Sequence, residues 1–133
     1  MEGTLEYRSG LDAGEALLSQ ANRPTAIFAS NDEMAAGLIA AAHKFGLSVP
    51  QDFSISGFDD SVVVTVVWCP LTTVRQPIKD MATAAVSSVI EKLRGQAEDT
   101  PDVKHIKPSI QRTAFPCLNL QEKQRSLVAA QKA

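Results

Sequence analysis

Residues Arg23–Gly37, with the sequence RPTAIFASNDEMAAG, give the clearest indication of the fold class. Their apolar run Thr25–Ala29 follows a proline directly and has the length of a buried strand. The polar residues Ser30–Asp32 come next, and Ser30 with Glu33 has the spacing of a capping box, which marks the start of a helix. The stretch therefore predicts a strand, a turn and a helix, which is the repeating unit of α/β proteins.

That helix is predicted to run to about Phe45, because Gly46 stands where a helix-ending glycine belongs. The other predicted elements are, in chain order, a helix at Ser9–Gln20, strands at Phe53–Phe58 and Leu71–Gln76, a helix from Pro77 to Leu93, and a strand within Val103–Arg112. Pro108 restricts the last strand to a sheet edge or a bend. This alternation predicts the α/β class, with a Rossmann-like, mainly parallel sheet.

Composition fits one ordinary globular domain and excludes several functions. The 133 residues are 44% hydrophobic and 21% charged, and the net charge of −2 provides no basic surface for nucleic acid. The longest near-apolar run, Val62–Leu71, is too short to span a membrane, and residues 1–10 do not form a signal peptide. A cytoplasmic protein is expected, without a membrane partner.

The two cysteines, Cys69 and Cys117, lie far apart in the sequence, and no histidine stands at metal-ligand spacing from either. This pattern excludes a zinc module and a disulfide scaffold. A single bridge between them is one interpretation, and two unrelated thiols in a reducing compartment are the favoured one.

Polar side chains leave the predicted sheet at the ends of two strands. Asn31 and Asp32 follow the first strand, and Asp59 and Asp60 follow the second. Because the carboxyl ends of parallel strands meet at one edge, these groups are expected to lie together. The aspartates suit Mg²⁺ binding, Asp59 suits general-base catalysis, and Asn31 with Asp59 suits hydrogen bonding to ligand hydroxyls. In a fourth, structural interpretation they cap the helix and begin a turn.

The sequence lacks the motifs and residues that usually accompany the enzymatic alternatives. The sequence contains neither a G-x-x-x-x-G-K-[ST] nor a G-x-G-x-x-G phosphate loop. His43 lies within a predicted helix and His105 in a loop, so neither is an evident partner for a catalytic aspartate. A small α/β phosphoacceptor or Mg²⁺-dependent enzyme domain that uses Asp59 and Asp60 remains the alternative function, and no cofactor or metal is predicted.

The loop after Asp60 is unusually apolar for a surface loop. Its residues Ser61–Trp68 read SVVVTVVW, and the preceding helix carries the small residues Ala36 and Ala40 on the face opposite its apolar stripe. One interpretation is a subunit interface formed by Ala36, Ala40, Val63, Val67 and Trp68. The other, equally compatible with the pattern, is a further buried strand.

Four blocks of the sequence, in order, resemble the LacI/GalR (lactose/galactose repressor) family of bacterial transcription regulators. They are Arg23–Gly37, Gly46–Asp52, Ile55–Asp60 and Pro70–Pro77. The resemblance implies a partial periplasmic-binding-protein-like domain at residues 1–117, followed by a tail at 118–133. Within that domain, residues 77–105 would cross to the other subdomain of the family fold.

The resemblance also implies a function, which is the effector-binding and dimerisation part of such a regulator, without enzymatic activity. The effector would be a sugar or a similar small polar molecule, and DNA would be bound only through a helix-turn-helix headpiece that this chain does not include. Asn31 and Asp59 match effector hydroxyl ligands, Ile78 and Leu5 match positions that present an apolar face to the effector, and Ala36 and Val67 match the subunit contact.

Three further expectations concern helix packing, sugar affinity and the class of binding protein, and the first two arise because the chain matches only part of the family fold. The helix after Pro77 carries the apolar stripe Ile78, Met81, Ala85, Val89 and Leu93, whose family partner is missing, so we predict that it docks on a second copy of the chain. Half a cleft is expected to bind sugar poorly. A stand-alone sugar-binding protein is disfavoured, because such a protein requires a secretion signal.

Overall fold

The computed structural model describes residues 4–95 and 105–111. Its elements are α1 (Tyr7–Leu18), β1 (Ala26–Phe28), α2 (Asp32–Lys44), β2 (Ser54–Ser56), a short 3₁₀ helix (Val62–Thr65), β3 (Thr73–Arg75), α3 (Ile78–Leu93) and β4 (Ser109–Gln111). The predicted tail 118–133 lies outside the described residues, and the division of the chain at residue 117 remains a prediction. None of the helices in the described part of the chain is long and apolar enough to cross a membrane.

The sheet is mainly parallel, as the sequence predicts. Strand β1 pairs in parallel with β2, with Ile27 opposite Ile55. Parallel bridges from Ser56 to Thr72 and from Asp59 to Arg75 place β3 beside β2. Strand β4 directly follows Pro108 and pairs with β3 in the antiparallel direction. Among the described strands it lies at the sheet edge, in agreement with the prediction from this proline.

Helix α2 is the centre of the core. Eight of its residues are buried, and α1 packs along one side of it. Glycines make the approach of the two helices possible, because a Cβ atom at Gly10 would lie 2.2 Å from the Met34 carbonyl oxygen and one at Gly37 would lie 2.2 Å from that of Tyr7. The largest fully buried apolar side chains are Phe53, Ile55 and Leu71, from the sheet side of the core.

Two local predictions need correction at helix ends. Helix α2 is capped by Asn31, whose side-chain oxygen accepts a hydrogen bond from the Met34 amide at 2.9 Å, so the predicted Ser30–Glu33 capping box is wrong. Helix α1 begins at Tyr7 and ends at Leu18, two residues before the predicted bounds at each end. Gly46 has a positive φ of 68° directly after α2, which agrees with its predicted role.

The apolar loop does not form the buried strand that was one of its two interpretations. Val62–Thr65 is a 3₁₀ helix in which Val64 is the buried residue. Val62, Val66 and Trp68 are 80%, 74% and 84% exposed. Cys69, which follows, is disulfide-bonded, so the favoured interpretation of unrelated thiols is wrong for this residue; Cys117 lies outside the described residues.

Helix α3 carries its apolar stripe without cover in the described structure. No residue of the helix is buried, and Leu93 at the end of the stripe is 82% exposed. Among the described elements, the stripe has no packing partner, as the sequence implies. Docking of α3 on a second copy remains a prediction.

Candidate functional site

The two proposed ligand residues lie at the same edge of the sheet. Asn31 follows the carboxyl end of β1, Asp59 follows that of β2, and these strands are parallel neighbours. In α/β sheets, ligands bind outside the carboxyl ends of the strands. We call the set Leu5, Asn31, Asp59 and Ile78 the ligand edge.

Asn31 uses both ends of its side-chain amide within the protein. Its Oδ1 caps α2 by accepting from the Met34 amide, and its Nδ2 donates to the Leu5 carbonyl oxygen at 2.7 Å. These two bonds fix the orientation of the amide, since the oxygen faces a donor and the nitrogen faces an acceptor. The second N–H of Nδ2 has no protein partner within the part of the chain that the structure describes. The structural interpretation of Asn31 as a cap is thus confirmed, and it is compatible with a ligand role.

Asp59 stands in a turn with an unusual backbone. Asp59 and Asp60 have φ values of 111° and 58°, in the left-handed region that non-glycine residues rarely occupy. The Asp59 amide donates to the Val74 carbonyl oxygen at 2.9 Å, and its Oδ1 accepts from Gln76 Nε2 at 2.5 Å. Its Oδ2 has no partner among the described residues. This exposed oxygen is therefore available to accept a hydroxyl hydrogen from a ligand.

Leu5 and Ile78 are connected to these polar groups through hydrogen-bonded residues. Leu5 is held by Asn31 through its carbonyl oxygen, and Ile78 is two residues after Gln76, which binds Asp59. Both side chains are more than half exposed. The ligand edge thus combines two polar side chains with two exposed aliphatic residues.

The Mg²⁺ alternative is not supported by this geometry. Asp60 Oδ2 pairs with Arg75 Nε, and Asp32 is 1% exposed with both carboxylate oxygens bonded inside the protein. Within residues 4–95 and 105–111, no three histidine, cysteine or acidic side chains are grouped to hold a metal ion. The three aspartates that the sequence suggested as Mg²⁺ ligands therefore bind different groups within the protein.

Asp32 has a structural role that the sequence did not predict, which is to connect the turn after β2 with β3. Its Oδ2 accepts from the Ser61 amide at 2.7 Å, and its Oδ1 accepts from the Thr73 hydroxyl at 2.5 Å. The Thr73 oxygen in turn accepts from the Asp60 amide at 3.3 Å. Gly57 leaves room for the carboxylate, since a Cβ atom there would lie 2.3 Å from Asp32 Oδ1. In the sequence, Gly57 shortly before the acidic pair Asp59–Asp60 is a weak local signal of this arrangement, whereas Thr73 lies 41 positions from Asp32 and gives none.

The proposed subunit contact lies in the segment Ser61–Trp68, which we call the apolar turn. Val63 and Val67 are half-buried and Trp68 is exposed. Ala40 is half-buried, whereas Ala36 is 4% exposed and has little surface left to offer a partner. The participation of these residues in a subunit contact remains a prediction.

A pocket of about 450 Å³ lies away from the ligand edge. It is lined by Val49, Pro50, Gln51, Val67, Trp68, Cys69 and Pro70. These residues belong to the segments that lead into β2 and β3, and so to the amino ends of the strands. The pocket is therefore not the site that Asn31 and Asp59 define.

Comparison with known proteins identifies the class. The sequence profile of the periplasmic binding protein-like domain matches residues 2–114, and the chain belongs to this domain family. It is 39% identical over 104 residues to catabolite control protein A of Priestia megaterium, a match that covers 78% of this chain and 31% of that protein. The chain thus spans about a third of the length of the curated relatives it matches.

Solved structures narrow the class further. A LacI family transcriptional regulator from Lactobacillus casei, solved with bound sucrose, is 31% identical with a TM-score of 0.66, over 80% of this chain and 39% of its own. The lac repressor dimer, bound to operator and the anti-inducer ONPF, is 28% identical with a TM-score of 0.68, over 86% and 36%. The resemblance to the LacI/GalR family is confirmed, and the matched part is that family's effector-binding portion. Further relatives are transcriptional repressors rather than enzymes.

Proposed function

We propose that this chain supplies one wall of the effector cleft and the subunit contact of a LacI/GalR-type transcription regulator. The observation that carries the proposal is the position of Asn31 and Asp59 at the carboxyl ends of neighbouring parallel strands. The family membership and the sucrose-bound structure of a relative support it.

The chemistry of the ligand edge favours an uncharged, hydroxyl-rich effector such as a sugar. Asp59 offers a carboxylate oxygen that accepts a hydroxyl hydrogen, and Asn31 offers an N–H that donates to a hydroxyl oxygen. The charge of Asp59 would repel an anionic ligand, and the Arg75 guanidinium nearby is already paired with Asp60. Ile78 and Leu5 would contact the apolar face of the ring.

The apolar turn is the proposed subunit contact. Three of its apolar side chains are about three-quarters or more exposed, and burial of such a patch against a second copy removes it from water. A dimer is named for one relative of known structure, the lac repressor. DNA would be bound by a part of the regulator outside this chain, and a non-enzymatic role in the cytoplasm accords with the repressors among its relatives.

Titration of the isotope-labelled chain with sucrose and with a sugar phosphate, followed by NMR, tests the ligand edge. Because the chain provides one wall of a cleft, we expect weak binding that needs high sugar concentrations. Sucrose should shift the amide signals near Asn31 and Asp59, and the sugar phosphate should not.

Asp59→Asn should abolish these shifts, whereas Asp80→Asn, at an exposed aspartate in the first turn of α3, should leave them unchanged. Shifts confined to the pocket around Pro50 and Trp68, or a stronger response to the phosphate, would contradict the proposal.

A further inference from the structure

The buried carboxylate of Asp32 connects parts of the chain that the proposed function uses separately. It lies at the start of α2, directly after the ligand residue Asn31. One of its oxygens accepts from Ser61, the first residue of the apolar turn, and the other accepts from Thr73 of β3. The ends of β1 and β2 and the start of β3 therefore meet at one side chain.

Two consecutive backbone amides of the Asp59–Ser61 turn bind the side chains of Asp32 and Thr73. The first two residues of the turn have positive φ values, which cost free energy and persist only where the surrounding contacts impose them. The Asp60 amide reaches the Thr73 hydroxyl, and the Ser61 amide reaches Asp32. A carboxylate that is 1% exposed and a hydroxyl that is equally buried thus bind consecutive amides of the turn.

We propose that Asp32 and Thr73 are positioning residues, which hold the Asp59–Ser61 turn so that the ligand edge and the apolar turn keep one relative geometry. Asp59 stands at one end of this turn, and the 3₁₀ helix begins directly after its other end, with the Val64 amide bonded to the Ser61 carbonyl oxygen at 3.2 Å. A shift of Asp59 is thereby transmitted to the apolar turn. The meaning of this geometry, as a link between effector binding and the subunit contact, rests on the proposed function, whereas the hydrogen bonds themselves do not.

The matched pair Thr73→Val and Thr73→Ser tests this proposal in the 133-residue chain. Valine keeps the shape of threonine and removes the hydroxyl, whereas serine keeps the hydroxyl. Amide hydrogen exchange, followed by NMR, is measured at Asp60, Ser61 and Val64. The reference is Ala29, whose amide bonds the Ser56 carbonyl oxygen between β1 and β2 at 2.8 Å.

In Thr73→Val, exchange of the three turn amides should rise about tenfold relative to Ala29, because the turn opens locally. In Thr73→Ser, the exchange rates of the turn amides relative to Ala29 should stay within about twofold of those in the unmodified chain. An equal rise at Ala29 would assign Thr73 a purely structural role and overturn the proposal. An unchanged ratio in Thr73→Val, or a Thr73→Ser ratio as high as that of valine, would also overturn it.

Asp32→Asn provides a second variant that does not alter the core volume. The amide has one acceptor where the carboxylate offers two, so the donors Ser61 N–H and Thr73 O–H compete for it. The turn amides should exchange faster, and the double variant with Thr73→Val should exchange less rapidly than the product of the two single effects. Multiplied effects would mean that the residues act independently and would overturn the proposal. Neither readout requires ligand or dimer, so failure of the proposed function would leave this result intact.

Discussion

At the scale of single residues, the site combines ligand binding with local structure. Asn31 follows β1, caps α2 and donates a hydrogen bond to the carbonyl oxygen of Leu5, 26 positions earlier in the chain. The residue types that suit a sugar hydroxyl also suit a helix cap and a tight turn, because all three require short polar side chains with fixed geometry. The two interpretations of Asn31 that the sequence left open are therefore compatible in one residue.

Substitution of Asn31 should separate its two bonds. Asn31→Ala removes both and is expected to lower the free energy of unfolding by about 1–2 kcal/mol, as loss of a helix cap does. Asn31→Ser keeps a capping oxygen and loses the bond to Leu5, because serine carries no amide N–H, and it should lose less stability. Urea unfolding of the three proteins gives the comparison. Equal losses in both variants would mean that the cap is not the main contribution of Asn31.

At the scale of elements, α3 differs from the other helices. Helix α2 is buried on most sides, whereas α3 has no buried residue. Its apolar stripe obeys the helical period, yet period alone does not determine what the stripe packs against. At roughly 25 cal/mol per Å² of apolar surface, the exposed stripe leaves several kcal/mol of burial unused. This is the physical reason to expect that α3 finds a partner.

A lysine in the stripe should therefore weaken self-association. Val89→Lys places a charge on the exposed stripe, and Thr83→Lys places the same charge at an exposed position off the stripe. Light scattering over a range of concentrations is expected to show a dimer for the unmodified chain and for Thr83→Lys, and a larger monomer fraction for Val89→Lys. A monomeric unmodified chain with α3 in solvent would show that the docking prediction is wrong.

At the scale of the whole molecule, three surfaces are exposed: the ligand edge, the apolar turn and the stripe of α3, which shares Ile78 with the ligand edge. The first follows the carboxyl ends of β1 and β2, and the second leads from that edge toward the amino end of β3. In the relatives, the matched part is accompanied by roughly twice its own length of further chain. The domain organisation and the regulatory response of the whole protein are accordingly part of the proposed function.

Trp68 allows the apolar turn to be monitored without a label. It is the single tryptophan of the chain and is 84% exposed, so its emission should be that of an indole in water at low concentration. If two copies meet through the apolar turn, the emission should move to shorter wavelengths as the chain dimerises, because the indole leaves water. Fluorescence and sedimentation at matched concentrations check this. Dimerisation without a change in emission would place the contact elsewhere.

Local pattern and block order in the sequence determined the α/β order of elements, the family and the polar residues at the two strand ends, because each depends on neighbouring positions. The three-dimensional structure was needed to show that Asp32 is buried against Thr73, 41 positions away, and that Asn31 rather than Ser30 caps α2. It was also needed to show that the apolar turn begins with a 3₁₀ helix, buries Val64 and leaves Val62, Val66 and Trp68 exposed. These outcomes depend on which distant groups supply donors, acceptors and apolar cover. A run of valines has the same sequence pattern whether it is buried in a core or exposed for a second subunit to cover. The surrounding fold therefore determines which of the two occurs.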